Sequence, residues 1–183
     1  FTKDKLKFIV DKFHKNNKKI GAHVAGKDGI NLAIECGVDV LHHAHGINYN
    51  QIKIVKEKEI SIVATPLGGT HLVPNLPQDI LDLVKEGIDV SIATDAYLPP
   101  ASHLNLEKDK LYGSDVLMFI ANPSMKLLFD NGYDENICLS LLTSNPAKVL
   151  GLENSIGKLE SGMYADFLVC YGIPGLEFVD KES

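Results

Sequence analysis

Val38-Asp39-Val40-Leu41-His42-His43-Ala44-His45-Gly46 reads as a short strand that ends in histidine. Tyr49 to Glu59, with Ile52 and Val55 on one face, reads as the helix that follows it. The same order of events surrounds this unit. Upstream, Lys19 to Val24 is a short strand ended by Gly26, and a helical stretch from Gly29 to Cys36 is stopped by Gly37. Downstream, Ile60 to Thr65 is a strand, Pro66 to Pro77 a loop and Gln78 to Glu86 a helix. Ile88 to Thr94 is a fourth strand, before a long loop to about Tyr112 and a helix through Asp130. A first helix precedes them all, Thr2 to Asn17, with Leu6, Ile9, Val10 and Phe13 at helical spacing and Thr2 placed to cap it. Strands that alternate with helices in this way predict an α/β fold with a parallel sheet.

The strand ends choose between the two common parallel architectures. His23, His43, Thr65-Pro66 and Asp95 sit at the carboxyl ends of the four strands, and barrels assemble active sites from those positions on several strands. A doubly wound sheet would instead carry a glycine-rich phosphate turn after its first strand, and Gly26-Lys27-Asp28-Gly29 is too sparse for one. Four units are half of a (β/α)8 barrel, which takes roughly 250 residues in full. The expectation is the second half of such a barrel over residues 1–150, its missing half lying before Phe1. Asp134 to Leu150 reads as one more helix. In residues 151–183, Ile156 to Tyr171 reads as a hairpin-type β segment turning at its glycines.

Composition narrows the function classes. The 183 residues are 45% hydrophobic and 23% charged, enough to bury a core. All 18 basic residues are Lys, and 24 acidic residues leave a net charge of -6, which argues against a nucleic-acid partner. No apolar run approaches the about 20 residues that span a bilayer, and no signal region opens the chain, so a cytoplasmic protein without a membrane partner is expected. Cys36, Cys138 and Cys170 are isolated and odd in number, with no CxxC pair, which argues against a disulfide framework and a thiolate zinc site. No GxSxG elbow is present and no cysteine has basic neighbours, so a serine or cysteine nucleophile is disfavoured.

The chemistry therefore rests on histidine and aspartate. If the strands line a barrel, His23, the cluster His42-His43-Ala44-His45 and Asp95 converge on one mouth. Imidazole and carboxylate together suit a divalent metal, zinc first, with iron, manganese or nickel as alternatives, and a catalytic site keeps one position for water. Ser91 and Ala93 share the parity of Asp95, so small residues would line the interior beneath it. Asp95 also suits a turn after the strand. Strand alternation puts His42 and His43 on opposite faces, so one of the two faces the interior, and His45 is a further candidate. His71 and His103, in the loops after the third and fourth strands, are candidates for contact with a small-molecule substrate. His14 reads as a surface residue.

With these residues at strand ends, the chain resembles the amidohydrolase superfamily of metal-dependent hydrolases over almost its whole length. Gly21-Ala22-His23-Val24-Ala25-Gly26 resembles that family's fifth-strand motif, Gly37 to His43 its sixth, and Ala93-Thr94-Asp95-Ala96 its eighth. The most specific match is Thr143-Ser144-Asn145-Pro146-Ala147-Lys148-Val149-Leu150-Gly151-Leu152 with Gly157 to Val169. Its family counterpart ends the barrel and returns to a small β-sandwich. The resemblance implies a TIM-type barrel, here strands five to eight, and one or two metal ions. It implies His23 and His43 as ligands, or His43 as the partner of the hydrolytic water, and Asp95 as ligand and proton shuttle. The implied reaction is hydrolysis of a carbon–nitrogen bond, amide or cyclic amide, by metal-activated water.

Two departures matter. The family's first-strand HxH pair and fourth-strand bridging residue have no counterpart here, so half the implied metal shell is absent. Deaminases and imidazolonepropionases of the superfamily usually place Glu three residues after the fifth-strand His, where this sequence has Gly26. That leans toward enamidase-like or prolidase-like hydrolysis, with a metal-dependent deaminase as an alternative. The alternative from a different class is a catalytically inactive fragment or homologue with an assembly role. A half-barrel leaves both outer strand edges unpaired, so the isolated chain is expected to form a homo-oligomer, aggregate or need its missing half. Light scattering that finds a compact, stable monomer would contradict this.

Overall fold

The structure, a computed structural model, describes residues 2–68, 73–96, 100, 104–169 and 172–173. A helix α1 (Lys3–Lys15) leads into three β/α pairs: β1 (Gly21–Ala25) with α2 (Gly26–Cys36), β2 (Val40–His45) with α3 (Tyr49–Glu57), and β3 (Ser61–Ala64) with α4 (Pro77–Lys85). The fourth strand, β4 (Val90–Ile92), is followed after a long connection by a 3-10 turn (Ser114–Val116), α5 (Leu117–Asp130), α6 (Glu135–Ser140) and α7 (Ser144–Leu150). All four strands are parallel and lie in the order β1-β2-β3-β4. A doubly wound sheet would reverse at a switch point. Here each strand is added beyond the last, as in a (β/α)8 barrel.

The register sorts the side chains into two faces. Leu41, Ile62 and Val90 are paired neighbours on one face, all fully buried, and they pack with Ile30, Ile34, Val55, Ile80, Met125 and Leu128 of the covering helices. His23, His42, Val63 and Ser91 form the matching row on the other face. Apolar residues thus point to the helices, and the histidines and small residues point to the concave side.

Several local expectations give way to tertiary contacts. Thr2 stands at the α1 N-cap position but makes no side-chain cap. The helix expected over Asp134 to Leu150 is broken at 141–143. There the Leu141 carbonyl turns to accept a 3.0 Å bond from the Ile92 N–H, while Asn145 Nδ2 donates to the Val90 carbonyl at 2.8 Å. Val90 and Ile92 carry the outward-facing groups of β4, because Asp89 and Ala93 bond back to β3. Among the described residues β1 and β4 are the two edge strands, and the β4 edge is met by the chain's own α6–α7 corner. Of the hairpin expected over 156–171, the described residues 156–169 form no strand, and 170 and 171 lie outside the described residues. The described residues 151–169 run in turns and irregular backbone, with Leu159, Phe167, Leu168 and Val169 exposed. An isolated two-stranded hairpin is marginal without a sheet to lie on. No helix among the described residues is long and apolar enough to cross a membrane.

The edge contact has a measurable weight. Asn145→Ala leaves the Val90 carbonyl without its donor and should lower unfolding stability by about 1–3 kcal/mol, read as a shift of the urea midpoint at unchanged slope.

Candidate metal and catalytic site

The site is built at the carboxyl ends of β1, β2 and β4. Strand β2 does not keep its alternation to the end: His43 and Ala44 both adopt left-handed backbone, φ 69° and 50°. Two successive non-glycine residues there are costly, about 1–2 kcal/mol each. The distortion swings the His43 ring onto the same side as its neighbour. His42 lies over Gly21, where a Cβ would meet His42 Nε2 at 2.7 Å, and His43 lies against His23 with ring centroids 4.2 Å apart. The alternation argument, which allowed one of the pair to face inward, fails for this reason. The extra residue also appears as a bulge, since Val24 pairs with His43 and Ala25 with His45, leaving Ala44 unmatched.

His43 is the hub. Its Nε2 stands 3.0 Å from His23 Nδ1 and 3.9 Å from Asp95 Oδ2, while its Nδ1 is 2.7 Å from Thr65 Oγ1. It is 4% exposed, whereas His23 is exposed and the Asp95 side chain is 37% exposed. Burial, with help from His23 and against the pull of Asp95, pushes the His43 imidazole down to about 4. It is therefore neutral at pH 7, with one ring nitrogen free to accept or ligate. Burial also holds His42 and His45 below the ordinary histidine value. Asp95, like His43, sits in left-handed backbone, φ 50°, a conformation that Asp tolerates better than most residues.

The donor types, imidazole and carboxylate, are ones that suit a borderline divalent cation. Two imidazole nitrogens on one tetrahedral zinc ion stand about 3.3 Å apart, from bonds of about 2.0–2.1 Å, so the 3.0 Å spacing of His23 Nδ1 and His43 Nε2 needs only a slight opening. The set is open rather than closed. Among the described residues no three His, Cys, Asp or Glu side chains already surround a common point, because Asp95 stands back from the pair.

The structure thus brings His23, His43 and Asp95 together, with His42 beside them. His45 stacks on His43 at 6.3 Å with its Nε2 buried and unbonded. His14 is exposed and pairs with Asp39 at 2.9 Å. His71 and His103 lie outside the described residues. Asn75, which nothing in the sequence singled out, proves central. It is 3% exposed, its Nδ2 donates to the His43 carbonyl at 2.9 Å, and its Oδ1 accepts from the Thr65 N–H at 2.8 Å. Its only local signal is an Asn in a loop, which ordinarily marks a turn.

The sequence model of the amidohydrolase family matches residues 1–181. A 5'-deoxyadenosine deaminase from Methanobrevibacter smithii is 30% identical over 135 residues, which is 73% of this chain and 29% of that protein. An imidazolonepropionase from Thermoplasma acidophilum is 31% identical with the same coverage of each. The solved structure of a Xanthomonas campestris adenosine deaminase with bound zinc superposes with a TM-score of 0.66 at 15% identity, covering 90% of this chain and 40% of that one. The chain therefore spans less than a third of the length of these curated relatives.

Asn75 bonds to both strand ends from the loop between β3 and α4. Asn75→Ala should cost about 1–3 kcal/mol in urea unfolding, because it leaves a buried carbonyl and a buried N–H unpaired.

Proposed function

The chain belongs to the amidohydrolase family, and from that premise we propose that His23, His43 and Asp95 form one wall of a metal-dependent site that hydrolyses carbon–nitrogen bonds in a small molecule. The observation that carries this reading is the convergence of side chains from the ends of three strands on His43 Nε2, at 3.0 and 3.9 Å. A divalent cation held by His23 Nδ1, His43 Nε2 and Asp95, zinc first on the donor set, would lower the pKa of water toward 7 and polarise the scissile carbon.

The chain's own residues supply the rest. His43 enters neutral, so no proton has to leave it before it can donate a lone pair. Asp95 takes the proton from the attacking water as oxygen bonds to carbon. It returns that proton to the departing nitrogen as the carbon–nitrogen bond breaks, which leaves Asp95 ionised as it began. The partial exposure of its side chain suits a group that must meet both water and substrate. The remaining groups of the shell would come from the rest of a longer protein or from a second chain. A cytoplasmic setting accords with Cys36 and Cys138, both buried and free.

Amide or cyclic-amide hydrolysis is the first form of this reaction. Deamination is the second, favoured by the similarity to the 5'-deoxyadenosine deaminase. Position 26 weighs against it, since Gly26 sits at φ 72°, where a Glu side chain would strain the backbone. Release of ammonia with the ring intact marks deamination, and ring opening or a freed amine marks amide hydrolysis.

Zinc or cobalt titration of the purified chain tests the site directly. One saturable site is expected, with affinity at least about 10-fold weaker in His23→Ala and in Asp95→Ala. Equal binding by the parent and both variants would remove the proposed function and leave an assembly role.

A further inference from the structure

We infer that Thr65 and Asn75 are positioning residues that hold the His43 ring so that Nε2, and not Nδ1, is the nitrogen presented to the site. This inference rests on the metal-site reading above for its purpose, but its geometry stands alone. Three hydrogen bonds close a ring among buried groups: His43 Nδ1 with Thr65 Oγ1 at 2.7 Å, the Thr65 N–H to Asn75 Oδ1 at 2.8 Å, and Asn75 Nδ2 to the His43 carbonyl at 2.9 Å. His43, Thr65 and Asn75 are each no more than 4% exposed, so water does not compete for these bonds.

The ring does two things that neither residue could do alone. Asn75 grips the His43 carbonyl at the point where the backbone is left-handed, which keeps the ring on the concave side instead of letting it relax toward the helices. Thr65, whose backbone Asn75 holds, would accept the Nδ1–H on its hydroxyl oxygen, the tautomer that leaves the lone pair on Nε2. The imidazole is thereby fixed in rotation, and Nε2 is the nitrogen left facing His23 and Asp95. Ligating histidines are commonly oriented in this way by a bond to the other ring nitrogen, and loss of such a partner costs about 10–100-fold in metal affinity.

The test compares the parent chain with Thr65→Val, which keeps the shape and removes the hydroxyl, and Thr65→Ser, which restores it. Folding of each is checked by circular dichroism. Two-bond nitrogen-15 spectra of the metal-free imidazoles should show one fixed tautomer for His43 in the parent and in Thr65→Ser, and an averaged pattern in Thr65→Val. The same pattern in all three overturns the inference, whether or not any form binds metal. In zinc titrations, Thr65→Val should bind about 10–100-fold more weakly, with Thr65→Ser close to the parent. Equal affinity in all three also overturns the inference. Absence of zinc binding in every form counts against the proposed function, and the tautomer spectra then decide the positioning role alone.

Discussion

The left-handed pair His43 and Ala44 is the constraint on which the site depends. On a regular strand, His43 would share the helix side with Leu41, two residues before it, and as a neighbour of His42 it would face away from His23. The turn back onto the concave face is opposed by about 1–2 kcal/mol per residue. It is offset by bonds that are expensive to leave unmade in a buried place. Asn75 bridges the His43 carbonyl and the Thr65 N–H, so the loop after β3 secures the end of β2. The bulge opposite Val24 and Ala25 is the same event seen from β1.

The order of strands and helices was legible in the sequence because each apolar strand is short and bounded by Gly, Pro or a polar end. The inward parity of Ser91 was legible too, because β4 stays regular through Ile92. His43 was marked as a site residue by its place at a strand end and by resemblance, while period-two reasoning alone misjudged its relation to His42. That reasoning assumes extended backbone, and no residue type at 43 or 44 announces a positive φ. Asn75 was hidden for a different reason. Its partners are 10 and 32 residues away, so its role exists only in the folded chain.

The segment around Asn145-Pro146-Ala147 was the most specific mark of the family, and the structure assigns it packing rather than chemistry. Asn145 bonds to β4, and Lys148 pairs with Asp89 just before that strand and offers its carbonyl to Lys19 just before β1. Gly157 then passes so close that a Cβ would meet Ala147 and the Thr143 carbonyl at 2.9 Å. The segment ties the amino ends of the first and last strands to one helix, at the opposite end of the sheet from His43 and Asp95.

This arrangement limits how the proposed metal shell could be completed. On the outer side of β4 the Val90 carbonyl and the Ile92 N–H are engaged by Asn145 and Leu141, and β1 has no strand on its outer side among the described residues. His23 lies on that open strand and is the exposed member of the pair, while His43 is enclosed between Thr65 and His23. Further ligands of the proposed site could therefore reach His23 across the β1 edge, which no described strand covers, without disturbing the ring that holds His43. Asp95, beyond the covered part of β4 and partly exposed, stays accessible from the other side. The fixed element of the proposed site is thus His43, and groups that would complete it would approach past His23 and Asp95.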